Sequence, residues 1–462
     1  MKLYRHQEDA LRRAMEGNLA LFHDCGCGKT LTALKIIEHH KGQGHGPALV
    51  VCPLSIIEPA WLADCRRFTP ELSIVSLWGG SPAERRKRLA AGYDVYAANY
   101  ETLKGLFPEI RARGFGVLIV DESSKMKKHG SQITRALLAL AGVRMRGRDG
   151  AAYPAGEVIP HRYVLSGTPA PNSRMEYWPQ MTFVAPGGAF AGNFYAFRNR
   201  YFVPRPLGRT GVVLWDFTQD GGRQEEFAAG VARYAHVVRK EDAVDLPEQV
   251  HERRSVVLSP AERAAYDRFR RDLVLRFGAE EVLASSALVE AMKARQLTSG
   301  FCYGAEGVHR TGTSKLDELT ELLAEIGERQ VIIWCSFRHE MSEAAKRLTG
   351  AAVLDDEAER GKAIADFQEG RKQYLIANPQ SAGHGLTFVN CSYAVYFSLT
   401  WSYELAKQSA DRIHRIGQRK RCTYYYLIAK DTIDEVIYEA LQQKADLSRK
   451  VLEHLRSSQV DE

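Results

Sequence analysis

Several things are missing from this sequence, and each absence narrows the field. No apolar run reaches the roughly 20 residues that a helix needs to cross a bilayer, which excludes a membrane-spanning helical protein. The opening Met1-Lys2-Leu3-Tyr4-Arg5-His6-Gln7 holds no signal-peptide hydrophobic region, so the chain is expected to act where it is made, in the cytoplasm. Its 8 cysteines form no CxxC pair and no zinc-type spacing, and Cys52, Cys335 and Cys391 sit in or beside apolar runs. They read as reduced, small core residues rather than as a metal module or a disulfide scaffold. There is no internal repeat, no long low-complexity tail and no carboxylate-rich segment of the kind a nuclease domain would add.

What is present begins with charge. The formal net charge is +7, and it is clustered: Arg85-Arg86-Lys87-Arg88, Lys125-Met126-Lys127-Lys128, Arg144 to Arg148, and Arg419-Lys420-Arg421. Such runs are usually solvated faces; beside phosphate-handling machinery they become candidate nucleic-acid contacts. Short β-branched runs then alternate with amphipathic helical pattern, which implies a parallel sheet covered by helices. Expected strands are Leu19 to Phe22, Ala48 to Cys52, Asp94 to Ala98, Val117 to Val120 and Tyr163 to Ser166. A second series starts near Val331, with Val331 to Trp334, Tyr374 to Ala377, Ala394 to Phe397 and Thr423 to Ile428. Helical pattern covers Leu31 to His40, Ile57 to Phe68, Gln132 to Leu140, His339 to Leu348, Arg360 to Phe367 and Tyr403 to Ile413. Two series in one chain imply two α/β lobes, over residues 1–240 and 241–462, with helical insertions from about Pro171 to Gly327. Gly142 to Pro160 reads as an exposed loop, and Ile433, Val436, Ile437, Ala440 and Leu441 as one face of a closing helix.

Three motifs carry chemistry. Asp24-Cys25-Gly26-Cys27-Gly28-Lys29-Thr30 follows an apolar strand and opens a helix, the context of a phosphate loop. Gly26 and Gly28 would let backbone N–H groups approach phosphate, Lys29 would reach the β and γ phosphates of ATP, and Thr30 would ligate Mg²⁺. The strict pattern places a glycine where His23 stands. Downstream, Val117-Leu118-Ile119-Val120 delivers Asp121-Glu122 from the end of a core strand. Asp121 would hold the metal, and Glu122 would orient and deprotonate the attacking water. Finally, Gln408, Arg412 and Arg415 fall at i, i+4 and i+7, one face of a helix, and would bring positive charge to the γ-phosphate as it transfers.

With these residues in place, the chain resembles a SWI/SNF-type ATPase of helicase superfamily two, from Tyr4 to about Leu452. Tyr4-Arg5-His6-Gln7 resembles the Q motif, implying adenine recognition by Gln7. Val50-Val51-Cys52-Pro53 with Trp61 resembles motif Ia, and Asn99-Tyr100-Glu101 the segment after it; both imply contacts to a DNA strand. Asp121-Glu122-Ser123-Ser124 is similar to motif II, with Ser123-Ser124 in place of the usual Ala-His. Ser166-Gly167-Thr168-Pro169, followed by Pro171-Asn172 and Trp178, is similar to motif III, which implies a link from the ATP site to DNA. Leu246-Pro247 and Arg295-Gln296-Leu297 resemble landmarks of the inter-lobe insertions, and Ser314-Lys315-Leu316 the entry into the second lobe. Gly383-His384-Gly385-Leu386 looks like motif V, adding Gly385 to the expected nucleotide site, and Gln408 to Gln418 resembles motif VI. Trp401-Ser402-Tyr403 and Asn378-Pro379-Gln380 depart from the family's usual residues.

The resemblance implies an α/β fold of two RecA-like parallel-sheet lobes, with ATP hydrolysed between them. The expected activity is a DNA-dependent ATPase, monomeric, using Mg²⁺, that translocates on double-stranded DNA and remodels DNA or protein–DNA complexes. The chain reads as close to a bare motor, a form that suits a bacterial or phage protein better than a nuclear one. Two alternatives stand beside this. A strand-separating DNA or RNA helicase would need a wedge, for which Phe194 to Tyr201 is the candidate. An ATP-gated scaffold would leave hydrolysis vestigial, against which stand Lys29, Asp121, Glu122, Arg412 and Arg415.

Overall fold

Val117-Leu118-Ile119-Val120 is apolar at every position because both of its faces are covered. Leu118 and Val120 pack with Leu49 and Val51 in one buried cluster, while Val117 and Ile119 pack with Ala48, Val50 and Cys52 in another. That double coverage is why the strands of a parallel sheet read as continuous hydrophobic runs. The computed structural model describes residues 3–144, 158–188, 190, 193–206, 213–243, 246–277, 280–283, 287–356, 358–380 and 386–460. Gly383, His384 and Gly385 therefore lie outside the described residues, as does 145–157 of the expected exposed loop.

The chain divides into two units, Met1–Asp245 with Asp446–Glu462, and Leu246–Ala445. The first holds a seven-stranded sheet in the order Ile74–Ser76, Val95–Asn99, Ala48–Cys52, Val117–Asp121, His161–Leu165, Leu19–His23, Ala235–Val238, with every neighbouring pair parallel. The second holds six parallel strands, ordered Gln249–Val256, Cys422–Ala429, Tyr393–Tyr396, Val331–Trp334, Tyr374–Ala377, Ala352–Val353. Its faces also alternate: Ile332 and Trp334 enter one core, Val331 and Ile333 the other. A buried ion pair pins this unit. Lys315, at the start of the helix Ser314–Ile326, lies 2.6 Å from Asp434, which also accepts hydrogen bonds from Thr298 and the Ala429 N–H, each at 3.1 Å. Because both charges are buried, this contact specifies where four segments meet rather than adding much net stability.

Three local expectations differ from the structure. The insertions are not wholly helical: antiparallel hairpins join Phe202–Pro206 to Val213–Phe217, Val274–Phe277 to Glu280–Leu283, and Phe301–Tyr303 to Val308–Arg310. The segment Ile57 to Phe68 opens as a π-helical turn, Ile57–Leu62, before becoming α-helical at Ala63–Phe68; Pro59, without an N–H, stands in that first turn. On the closing helix, Ile437 and Leu441 are buried but Val436 is 54% exposed, so it does not share their face. Among the described residues, no helix is long and apolar enough to cross a membrane.

Candidate functional site

Strand direction decides where the chemistry collects. All strands of a parallel sheet end at one edge, and Leu19–His23, His161–Leu165 and Val117–Asp121 are successive neighbours. Their outgoing loops carry Asp24 to Gly28, Ser166 to Pro169, and Glu122, so three motifs distant in sequence meet at one edge.

The first loop is a tight cradle. Gly28 caps the helix Lys29–Gly42 with φ +73°, a left-handed conformation that favours glycine, and a Cβ there would also displace the Gln7 amide, 2.3 Å away at Nε2. Buried Gln7 donates from Nε2 to the Gly28 carbonyl at 3.3 Å, and its Oε1 accepts from the Tyr4 N–H at 3.0 Å. His6 Nε2 lies 3.0 Å from the Cys27 carbonyl, so the segment Tyr4 to Gln7 is fastened to the loop itself. His23 is the last residue of its strand and fully buried, with Nε2 2.8 Å from His236 Nδ1. Burial, then His236, Lys29 and His6, hold its pKa well below the ordinary value, so it packs as a neutral ring. The departure at His23 is thus a core feature, and the loop starts after it.

Lys29 donates from Nζ to the carbonyls of His23 at 2.7 Å and Asp24 at 3.2 Å. Enclosure opposes its charge, but Cys25, Glu122, Cys27 and Asp121 around it more than offset this, and its pKa is raised. Thr30 follows it in the first turn of the helix, half-buried. Burial pushes the Cys27 thiol up to about 12, which keeps it inert.

Asp121 ends its strand nearly buried, accepting from the Trp61 indole at 3.0 Å and from the Glu122 N–H at 2.9 Å. Burial first, then the charge of Glu122, raise its pKa to about 6, against the opposing pull of Lys29 and the Trp61 hydrogen bond. Glu122 takes a left-handed backbone, φ 53°, rare for a non-glycine residue and costly to hold. The Tyr100 hydroxyl, 2.6 Å from the Asp121 carbonyl and 3.2 Å from that of Glu122, braces the turn. Trp61 and Tyr100 are both buried, so the strand contacts that the resemblance assigned to their segments do not extend to these side chains; they hold the carboxylate turn instead.

Two further links were not legible in the sequence. A Cβ on Gly167 would meet Cys25 Sγ at 3.0 Å and Cys25 N at 3.2 Å, so the segment Ser166 to Pro169 lies directly on the phosphate loop. Ser123 donates to Gln180 Oε1 at 2.6 Å, and Gln180 Nε2 donates to the Pro169 carbonyl at 2.6 Å. A buried glutamine therefore ties the carboxylate turn to that same segment.

In the second unit, the helix Tyr403–Ala410 ends before the arginines, correcting the one-face reading of Gln408, Arg412 and Arg415. Asp411 caps it, and Arg412 and Ile413 bond three residues back, to Ser409 and Ala410, as the chain turns toward Cys422–Ala429. The arginines still converge: Arg412 Nη1 donates to the Leu386 carbonyl at 3.1 Å and Arg415 Nη1 to the same oxygen at 3.2 Å. Gln408 and Arg412 are buried, and the Phe388 N–H donates to the Arg412 carbonyl at 2.9 Å. Gly385, one residue before Leu386, is outside the described residues.

Comparison with known proteins follows the same division. Residues 9–146 match the SNF2-related domain, and residues 314–417 match the helicase conserved C-terminal domain. The chain belongs to the SNF2-type ATPases of the helicase superfamily. Protein p41 of Acyrthosiphon pisum secondary endosymbiont phage 1 is 25% identical over 449 residues, 93% of each chain. YwqA of Bacillus subtilis (strain 168), a candidate ATP-dependent helicase/translocase, is 24% identical over 457 residues, 94% of this chain. The chain spans 46% of the length of that relative. The solved SWI2/SNF2 ATPase core of Sulfolobus solfataricus in complex with dsDNA is 20% identical, with a TM-score of 0.45 over 98% of this chain and 93% of the other.

As an SNF2-type ATPase the protein is an ATP-hydrolysing enzyme, and its first unit suits a cation. Two adjacent buried carboxylates, one with its pKa raised by burial and by the other, form a donor set that Mg²⁺ would relieve. Asp121 and Thr30 would hold the ion, which when bound supplies charge for the β and γ phosphates. Ionised Asp121 costs the fold stability, absent below its ordinary value of 3.8 and fully present above about pH 6. Asp121→Asn is therefore expected to melt no lower than the parent at neutral pH, and up to about 2 kcal/mol more stable, because the amide sheds the charge yet keeps only one accepted hydrogen bond. Its ATPase activity should be lost. Thermal unfolding monitored at pH 7 checks this; a clear fall in stability would contradict it.

Proposed function

We propose that this SNF2-type ATPase is DNA-dependent and moves along double-stranded DNA, remodelling DNA or protein–DNA complexes. The observation that carries the reading is the edge where Lys29, Asp121-Glu122 and Ser166 to Pro169 meet, joined by Gln180 and Gly167. Such wiring suits a hydrolysis site that answers to a distant ligand. In this reading Gln7 and Gly385 contribute to nucleotide binding with Gly26 and Gly28, and Lys29 and Thr30 bind phosphate and Mg²⁺. Glu122 positions and deprotonates the attacking water, and Gln408, Arg412 and Arg415 bring charge to the transferring phosphoryl group. The lobes are 1–240 and 241–462, the protein is a monomer, and it works in the cytoplasm of a bacterial or phage-infected cell.

Exposed basic residues are available for phosphate contact: Lys125 and Lys128 beside the carboxylate turn, and Arg419, Lys420 and Arg421 after the arginine pair. The run Arg85 to Arg88 is partly committed elsewhere, since Arg88 donates to the Ser76 and Trp78 carbonyls and Arg86 pairs with Glu109 at 2.7 Å. Of the wedge candidate Phe194 to Tyr201, Phe197 and Tyr201 are core residues and Phe194 stacks on His129 with ring centroids 3.6 Å apart, which leaves Tyr195 as its one exposed aromatic, 5.3 Å from the Arg198 guanidinium. That packing favours translocation over strand separation.

The test is the ATPase rate of the full chain with duplex, single-stranded and forked DNA and with RNA. Duplex DNA should stimulate most, and stimulation should fall by orders of magnitude between about 50 and 200 mM salt if six or more phosphates are contacted. Stimulation by RNA alone would overturn the substrate assignment.

A further inference from the structure

Three histidines far apart in sequence meet in the first unit, at the sheet edge opposite the phosphate loop. His40 lies near the end of the helix that Lys29 begins, His45 in the turn after it, and His161 at the start of the strand that runs on to Ser166. One ring nitrogen from each falls within 4.8 Å of the others. His40 is buried, His161 half-buried and His45 exposed.

The framework around them is built tightly. The His45 N–H donates to the His40 carbonyl at 3.1 Å, folding the turn back over the helix. A Cβ on Gly116 would lie 1.3 Å from the His45 carbonyl oxygen, so only glycine lets that backbone approach. The His161 N–H donates to the carbonyl of the same Gly116 at 3.2 Å. The backbones of two of the histidines are thus fixed against one residue. The imidazoles pack together: His161 lies 4.1 Å from His40, its ring tilted by 31°, and stacks on His45 at 4.4 Å between ring centroids.

Hydrogen bonding settles the tautomer of the buried ring. Tyr163 donates its one hydroxyl hydrogen to the Ala14 carbonyl at 2.9 Å, so at 2.7 Å it must accept from His40 Nε2–H. A neutral His40 then has a bare lone pair on Nδ1, directed at His45 Nδ1 2.8 Å away. A ring whose far N–H is held by a fixed acceptor, with its other nitrogen facing a second imidazole, is arranged as a metal-ligating histidine is.

We propose that His40, His45 and His161 bind a divalent transition-metal ion of the class that imidazole favours, with Zn²⁺ the leading candidate, leaving one position to solvent. The ion would replace the His40–His45 hydrogen bond and clamp the end of the Lys29–Gly42 helix to the strand His161–Leu165. Its effect would be on the stability of the first unit. It does not depend on the assignment of DNA as partner. The sequence hid the site because His40 and His45, although spaced as half of a zinc motif, have no cysteine pair beside them, and His161 lies more than a hundred residues away.

The test uses the full chain after chelator treatment, titrated with Zn²⁺ by calorimetry and with Co²⁺ by visible absorption. One equivalent should bind, give the absorption of a low-coordinate Co²⁺ site and raise the melting temperature. His45→Ala, at an exposed position that leaves the core intact, should abolish the Co²⁺ spectrum. Tyr163→Phe should weaken Zn²⁺ binding about 10–100-fold through loss of the His40 acceptor. Cys25→Ser, which changes the one cysteine that is not buried, should leave binding unchanged. Undiminished binding in His45→Ala, or loss of binding in Cys25→Ser instead, would overturn the proposal.

Discussion

Glu122→Gln is expected to slow ATP hydrolysis by roughly 10²- to 10⁴-fold while leaving ATP binding near that of the parent, the loss typical of a positioned general base. The substitution keeps size and one acceptor oxygen but removes the group that would take the proton from water. It also removes the negative neighbour that raises the Asp121 pKa, so Mg²⁺ affinity should not fall with the rate. The left-handed backbone at residue 122 is unaffected by the change, since Gln and Glu meet the same steric cost there. Single-turnover hydrolysis together with nucleotide binding would separate the two quantities. Equal loss of binding and rate would mean that Glu122 holds the nucleotide and does not activate water.

Arg412→Ala should have an effect at least as large, roughly 10³- to 10⁵-fold on the DNA-stimulated rate, if its charge meets the transferring phosphoryl group. Arg412→Lys should recover only part, because an ammonium lacks the planar fork. Arg415→Ala is the comparison. Both side chains donate to the Leu386 carbonyl, but Arg412 is buried and Arg415 only half-buried, so losing Arg415 disturbs the turn less. If both alanine variants kept the parent rate, the pair would be a brace for Leu386 and nothing more.

How much of this was legible beforehand depended on burial. Ala48–Cys52 and Val331–Trp334 match the expected strands residue for residue, because two-sided coverage leaves an unbroken apolar run. Gln249–Val256 escaped notice for the opposite reason: it is an edge strand paired on one side, and His251, Glu252 and Arg253 are exposed. Ile74–Ser76 is only three residues long and half-buried throughout. In the site, Lys29, Asp121 and Glu122 could be named because their spacing to a strand end is local. The bracing roles of Trp61, Tyr100 and Gln180 could not be read, since they rest on contacts 21 to 60 residues away in sequence. The arginine turn was misread as helix because an i, i+4, i+7 pattern looks the same whether the last four residues stay helical or tighten; the break appears only in the backbone bonds after Ala410.

The central claim is that ATP hydrolysis drives movement along duplex DNA, and displacement of a third strand from a DNA triplex measures that movement without requiring the duplex to open. The parent protein should release the third strand in an ATP-dependent manner, and Glu122→Gln should not, with the duplex beneath left paired. Failure to displace it under conditions where DNA stimulates hydrolysis, or ATP-driven separation of the duplex itself, would contradict the account.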